Sequence, residues 1–469
     1  LGLKIQELQG KRNELLKQAE KEVKKGIRAE YLKKQRRILL IGAIFNLGIL
    51  LVLKYTSFIG GNINSLFNAL HLSFKLTIPK FLMPIGISFY TLQAVSYLFD
   101  VYHEKIKAER HVGKLALYMA FFPQIMEGPI CRYGETADNL FEGKQITYNG
   151  LKSGMLRIGY GVMKKMIIAD RLNIFIKELY LNYANYDGGM MWVGAILYTL
   201  QLYMDFSGVM DIVIGSGEIF NVKMPENFKQ PFFSKNISEF WTRWHITLGA
   251  FFRDYIFYPL SLSEPLKKLT TNGRKKFGKH YGPLFASSIA LFAVWFCNGL
   301  WHGAAWSFIF FGMYHFSLIL LGKIFEPQLN WITNKLHINK EHPIFKGFQI
   351  IRTTILVFIG ELFFRAHGLK AGFAMFVKMF TDFTLKSVKD GTILKLGMDI
   401  QDFIIIAIFT VIMFIMSILR ERNVNIRDEI SKKNIVIRWI IYYAILLAIL
   451  IFGAYGVGYR PVDPMYANF

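Results

Sequence analysis

An all-α integral membrane protein is the fold class this chain predicts, on two grounds: apolar runs beyond what one soluble core needs, and basic clusters flanking them. Of its 469 residues 53% are hydrophobic, and the excess is gathered into 38–53, 81–99, 284–300, 305–321, 348–364, 403–419 and 436–452. Each is near the roughly 20 residues a helix needs to cross the hydrocarbon. The stretches 115–126, 151–168, 190–204 and 238–258 are apolar but short or interrupted. They read as broken or re-entrant helices, which a bilayer tolerates only where protein or a water-filled cavity surrounds them. Gly and Pro mark the breaks, as in Pro84-Ile-Gly86, Phe122-Pro123 and Gly128-Pro129, because proline removes a helical hydrogen bond.

The formal charge of +23 would point to nucleic acid in a soluble protein. Here the basic residues sit beside apolar runs, where the positive-inside rule accounts for them, and no nucleic-acid partner is expected. Residues 1–37 hold twelve Lys or Arg against five Glu, and 267–279 and 420–438 are also basic, whereas 55–76 is nearly uncharged. These clusters place the N-terminus, residues 101–114, the 262–280 loop and the 420–435 loop in the cytoplasm, with the tail 457–469 outside.

Within 1–37, Leu15, Ala19, Val23, Ile27 and Tyr31 recur every four residues among Lys and Arg. That describes an amphipathic helix on an anionic cytoplasmic surface, or else a solvated helical linker. From 38 to 456 no polar linker or repeat divides the chain, so one multi-pass membrane domain is expected. Leu1 leads straight into the basic helix rather than a signal peptide, which is read as a natural start lying upstream. Cys131 and Cys297 are far apart and offer neither a disulfide framework nor a paired metal site.

Two histidines stand inside apolar segments: His245 in Asn236-Ile-Ser-Glu-Phe-Trp-Thr-Arg-Trp-His245, and His302 in Gly299-Leu-Trp-His-Gly303. A titratable ring there costs free energy unless it is paired or used, so each is a functional-site candidate. Asn236 followed by Glu239 reads as a capping box opening a helix. On that helix Trp241, His245, Leu248 and Phe252 share a face, and Glu239 can pair with Arg243 at i, i+4. A histidine on an apolar face serves packing more often than chemistry, which is the competing reading of His245. His302 is the stronger candidate, since Gly299 and Gly303 bracket it and admit another helix or a thin substrate. His315, beside Tyr314, reads as a packing residue, and the remaining histidines fall in loops or at segment ends.

The stretch Gln201-Leu-Tyr-Met-Asp-Phe-Ser-Gly208 puts Gln201, Asp205 and Gly208 on one helical side. A carboxylate this deep needs a partner, and Arg132, Arg243 or Arg253 could supply one. For Asp205 and Arg132 the favoured role is a buried network holding broken helices in register. With no His-Glu-x-x-His or Cys-x-x-Cys motif, no metal is expected. Without a Gly-x-Ser-x-Gly elbow or a Walker loop, serine esterases and ATP-driven pumps lose ground.

Further stretches are Leu82-Met-Pro-Ile-Gly-Ile-Ser-Phe-Tyr90, Glu226-Asn-Phe-Lys-Gln-Pro231, Ser238-Glu-Phe-Trp-Thr-Arg-Trp-His-Ile-Thr-Leu248 and Phe252-Arg-Asp-Tyr255. With them the chain resembles the membrane-bound O-acyltransferase (MBOAT) family, in the branch that acylates bacterial cell-surface polysaccharides such as alginate. The resemblance runs along the whole chain and is most specific over 82–310. It implies a ring of transmembrane helices around a thin core, pierced by a tunnel, in the bacterial cytoplasmic membrane. His302 matches the family's essential histidine, with His245 the second, supporting one. Trp301, Trp241, Trp244, Arg243, Asp205, Gln201, Ser207, Arg132 and Arg253 are expected to support that site or line the tunnel. Two departures from the family pattern stand out. Its usual first hydrophobic helices are absent, and a longer basic stretch, Ser261-Leu-Ser-Glu-Pro-Leu-Lys-Lys, replaces a Gly-Gly-Asn-Arg-Lys-Gly turn. The second bears on which polysaccharide is modified more than on the reaction class.

Acetyl transfer from a thioester to a hydroxyl suits these residues. A neutral imidazole takes the hydroxyl proton as oxygen attacks, an effect worth about 10²–10⁴-fold, while N–H or O–H donors in a dry site hold the oxyanion. His302 is the expected base, with His245 as its orienter or an oxyanion donor. No cofactor is expected to be bound permanently; acetyl-CoA is the expected donor, drawn to the basic cytoplasmic face. The resemblance further implies passage of the acetyl group to an extracellular or membrane-anchored acetyltransferase partner and a polysaccharide acceptor. Two readings compete: a D-alanyl transferase of teichoic acids fed by a carrier-protein thioester, and a non-enzymatic transporter or export scaffold.

Overall fold

A computed structural model of the chain describes residues 1–456 and Tyr459, so the expected tail 457–469 lies, but for Tyr459, outside the described residues. Regular structure among the described residues is helical, apart from one isolated bridge between Phe228 and Trp244. The helices are α1 (Gly2–Gln18), α2 (Lys21–Ala69), α3 (Ile87–Tyr102), α4 (Val112–Met119), α5 (Tyr133–Glu142), α6 (Tyr148–Val162) and α7 (Asp170–Leu181). There follow α8 (Gly188–Ile219), α9 (Ile237–Arg243), α10 (Ile246–Phe252), α11 (Tyr258–Ser261), α12 (Glu264–His302), α13 (Trp306–Ile324) and α14 (Glu326–Lys335). The last are α15 (Pro343–Arg365), α16 (Leu369–Thr381), α17 (Lys386–Lys389), α18 (Ile400–Glu421), α19 (Ile426–Ser431) and α20 (Ile435–Phe452).

Among the described residues, α2, α12, α13, α15, α18 and α20 are long and apolar enough to cross a membrane. They carry six of the seven apolar runs read from the sequence. The run 81–99 differs: α3 starts only at Ile87, after Gly86 adopts a left-handed φ of 75°. A β-carbon at Gly86 would strike the Ile125 carbonyl, so the break is built into the backbone. Three of the four short stretches are interrupted as expected, 115–126 by the end of α4 at Met119 and the others by π-helical turns at Met163–Ala169 and Arg253–Phe257, whereas 190–204 lies inside the continuous helix α8.

Where one domain was expected, the described residues form two compact units, Leu1–Gly150 with Gly217–Pro225, and Leu151–Ser216 with the described residues that follow Pro225. In the first, α1 packs on α2 and α3, burying Ile5 with Leu39, Leu98 and Val101. The Gln9 side-chain amide donates to the Val101 carbonyl at 2.9 Å. The continuous helix expected over 1–37 is therefore broken, since Ala19 turns extended (ψ 145°) and starts a second helix. Leu15 and Val23 of the expected stripe are exposed, and the buried contact is made instead by Ile5 and Gln9.

In the second unit α12 packs along α13, and α13 along α15. Small residues set the spacing: a β-carbon on Gly299 would lie 2.5 Å from the Phe308 carbonyl, and one on Gly312 would strike that of Trp295. The Gly299 expected to admit a helix or a substrate thus admits a helix. No residue of α20 is fully buried: one face, with Tyr442, Ile445 and Ile449, is half-buried, and its remaining apolar face is open, as suits a helix at the edge of the protein in hydrocarbon.

Candidate functional site

The expected single helix through His245 is interrupted at that residue. α9 opens with Asn236 accepting from Glu239 N–H (2.9 Å), and the Glu239 carboxylate reaches Lys235 N–H rather than Asn236. The Glu239–Arg243 pair forms at 2.8 Å as the spacing required. Then His245 takes left-handed angles, φ 46° and ψ 53°, and α10 starts at Ile246. For a non-glycine residue such a conformation costs on the order of 1–3 kcal/mol and persists where its surroundings over-determine it. A backbone clip does so: Lys229 N–H donates to Arg243 O at 2.9 Å, and Ile246 N–H to Asn227 O at 3.0 Å.

Because of this break Trp241 and His245 do not share a face. The Trp241 ring meets Trp295 (5.0 Å), His315 (4.8 Å) and Phe311 (5.9 Å). His245 instead meets Phe206 edge-on at 4.7 Å and Trp301 at 5.6 Å. Trp244 packs on Tyr203, Phe228 and Phe240. Burial first, and then the neighbouring His302, hold the His245 imidazole well below its ordinary protonation range, so the ring is neutral at pH 7.

His302 ends α12 and is 4% exposed. Trp301 lies between the two histidines, 5.1 Å from the His302 ring, and Phe364 and Phe311 close the other sides at 5.1 and 6.0 Å. Helix α12, which supplies His302, and the 243–247 turn, which supplies His245, thus meet through one indole.

A chain of paired charges links α6 and the π turn that follows it to α8. Arg157 bridges Asp211 (3.0 Å) and Glu226 (2.6 Å), Lys164 pairs with Asp211 at 2.5 Å and donates to Ser207 at 3.0 Å. Lys165 holds Asp205 at 2.8 Å and Asp170 at 3.0 Å, and Gln201 donates to Asn173 at 3.2 Å. The cations expected to pair with Asp205 are therefore wrong: Arg243 binds Glu239 and Glu421, Arg253 pairs with Asp254 at an exposed position, and Arg132 belongs to the other unit. Lysines on the wide π turn reach the carboxylates first, because that turn runs directly beside α8.

Two voids adjoin this chain. A cavity of about 540 Å³ is lined by Arg157, Lys229, Arg420, Arg427, Tyr160 and Asn425, among others. A void of about 20 Å³ shares its walls at Arg157, Glu226, Phe228, Gln230 and Arg420, and ends on Lys164, Ser207, Asp211 and Asn227. Asn227 in turn touches His245, its side-chain oxygen 3.3 Å from Nδ1.

Of the expected site residues, the structure brings together His302, Trp301 and His245, and separately Asp205 and Gln201 facing the 165–173 stretch. Sequence reasoning passed over Arg157, Lys164, Lys165, Arg420 and Asn227. A lysine pair inside the apolar stretch 151–168 was the available signal for two of them, since charges there must be paired.

Residues 111–272 match the model of MBOAT, the membrane-bound O-acyltransferase family. The chain is 30% identical over 383 residues to "Probable alginate O-acetylase AlgI" of Azotobacter vinelandii, spanning 81% of this chain and 70% of that one. To the peptidoglycan O-acetyltransferase of Helicobacter pylori it is 29% identical over 367 residues, 72% of this chain and 63% of the relative. To the teichoic acid D-alanyltransferase of Bacillus subtilis it is 30% identical over 279 residues, 57% and 68% respectively. The chain thus spans about two thirds of the length of these relatives.

Proposed function

The chain belongs to the membrane-bound O-acyltransferase family, and from that premise we propose that it moves acetyl groups from a cytoplasmic thioester, acetyl-CoA, to an acceptor outside, for O-acetylation of a cell-surface polysaccharide through a partner acetyltransferase. The observation that carries this reading is the basic cavity at Arg157, Lys229, Arg420 and Arg427, whose inner wall leads to Asn227 and His245. Its charge suits the phosphates of CoA. Carrying the whole charged donor through hydrocarbon would be prohibitive.

In this reading His302 accepts the hydroxyl proton as the acceptor oxygen bonds to the thioester carbonyl. The C–S bond then breaks and the proton passes to the departing thiolate. His245 supports the step. Taking α12, α13, α15 and α18 as four crossings leaves the basic stretches 267–279 and 420–438 on one side, and the positive-inside rule supports that side as the cytoplasm of a bacterial inner membrane. The cavity lined by Arg420 and Arg427 then opens to that side.

Sealed vesicles of defined orientation test this: labelled acetyl-CoA on the cytoplasmic face should acetylate an acceptor confined to the other side, with free CoA left behind. CoA appearing with product beyond the membrane would refute it in favour of a transporter. D-Alanyl transfer is the second reading, favoured by the likeness to the Bacillus subtilis enzyme. It would be adopted if a D-alanyl carrier-protein thioester, and not acetyl-CoA, served as donor.

A further inference from the structure

Asn227 joins the backbone clip to His245, and its hydrogen bonds decide what that histidine can do. The Thr247 backbone N–H can only donate, so the Asn227 side-chain atom 3.0 Å from it is the carbonyl oxygen. The Thr247 hydroxyl donates to the same oxygen at 2.9 Å, while the Asn227 amide group turns to Met210 Sδ at 3.2 Å. His245 Nδ1 lies 3.3 Å from that oxygen. An amide oxygen has no hydrogen to give, so Nδ1 carries the proton and Nε2 carries the lone pair. Asn227 is wholly buried, and its own backbone carbonyl accepts Ile246 N–H. One residue therefore fixes both the tautomer of His245 and the left-handed turn that aims it.

We propose that Asn227 is a positioning residue that locks His245 as a proton acceptor, so that the reaction uses its Nε2 lone pair and not an N–H donated to an oxyanion. The proposal rests on the acyl-transfer reading above and narrows it. A neutral ring whose only N–H points at Asn227 cannot also donate to the reacting oxygen. The oxyanion-donor role expected for His245 then falls to other groups. What remains for His245 is to accept a hydrogen bond, from the acceptor hydroxyl or from a ring N–H of His302. Outer partners that fix a metal-ligating imidazole by the same kind of hydrogen bond are worth about 10–100-fold, and a loss of that order is expected here.

The test is a pair of variants read in two ways. Protein labelled with ¹⁵N in its histidine rings, in lipid nanodiscs, gives the two ring-nitrogen resonances of His245, assigned by their loss in His245→Gln. A protonated Nδ1 and an unprotonated Nε2 are expected in the wild type. Asn227→Asp, which keeps an acceptor at the same place, should retain the proton on Nδ1, and Asn227→Ala should lose that preference. In parallel, kcat for acetyl transfer should fall about 10–100-fold in Asn227→Ala, with KM for acetyl-CoA little changed, and recover in part in Asn227→Asp. A proton on Nε2 in the wild type, or an unaltered spectrum in Asn227→Ala, would overturn the lock. A spectrum that responds as expected while kcat stays at the wild-type value would overturn its part in the reaction. Absence of acetyl transfer from acetyl-CoA by the wild-type protein would instead overturn the acyl-transfer reading beneath it, whatever the ring-nitrogen spectrum shows.

Discussion

Replacing His302 by glutamine removes the ring that takes the hydroxyl proton and keeps a polar side chain of similar reach. Loss of a positioned general base slows transfer by about 10²–10⁴-fold, which is about 3–5.5 kcal/mol in the barrier at 1.36 kcal/mol per tenfold. The structural cost is smaller. His302 is buried at the last residue of α12, edge-on to Trp301, Phe364 and Phe311, and each such ring contact is worth about 0.5–1.5 kcal/mol. A fold of ordinary stability, roughly 5–15 kcal/mol, survives that loss. Purified His302→Gln should therefore elute as a single sharp species in detergent, melt within a few degrees of the wild type, and transfer label from acetyl-CoA at no more than about a hundredth of its rate. Transfer within about threefold of wild type, by protein that passes the two folding checks, would remove His302 from the base role and with it the ordering of the site.

The buried charges give a second expectation: Asp211→Asn takes the carboxylate from Lys164 and leaves Arg157 with Glu226 alone, and breaking one partner of a buried network costs about 3–5 kcal/mol. Its melting temperature should drop well below the wild type, and an unchanged melt would show that the network is hydrated rather than dry. Gly299→Ala should push α12 from α13 at the Phe308 carbonyl, costing about 1–3 kcal/mol and lowering transfer by moving His302; wild-type activity there would mean the helices separate freely. The last concerns pH. An unfolded histidine titrates near 6.5, and folded His245 is held lower by burial, so below about 6.5 the unfolded chain binds the extra proton. The stability this group contributes is thus complete above that pH and is lost as pH falls toward the folded value. Melting temperature should drop more steeply between pH 7.5 and 5 for the wild type than for His245→Gln, and parallel slopes would contradict the neutral, buried ring.

Much was legible along the chain because bilayer solvation acts on composition over a whole segment. Six membrane-long helices follow from apolar runs alone, and the Asn236 cap and Glu239–Arg243 pair follow from spacing within one helix. The two histidines stood out because a polar ring in an apolar stretch demands a reason, and their company of tryptophans survives in the structure through Trp301. What periodicity could not give was the break at His245. A left-handed residue leaves no mark in the pattern of apolar positions; it is imposed by hydrogen bonds from 227–229, outside the two helices it separates. The partner of Asp205 was misjudged for a like reason. Several cations in the chain could neutralise a carboxylate, and only the approach of the 157–165 stretch to α8 decides which ones reach it. Asn227 carried no signal of its own, since an asparagine becomes a positioning group only when the fold brings a donor backbone, a hydroxyl and an imidazole to the same oxygen. Segment-scale solvation was written in the sequence; the pairing of single polar atoms across distant segments was decided by tertiary structure, because it depends on distances that no linear spacing encodes.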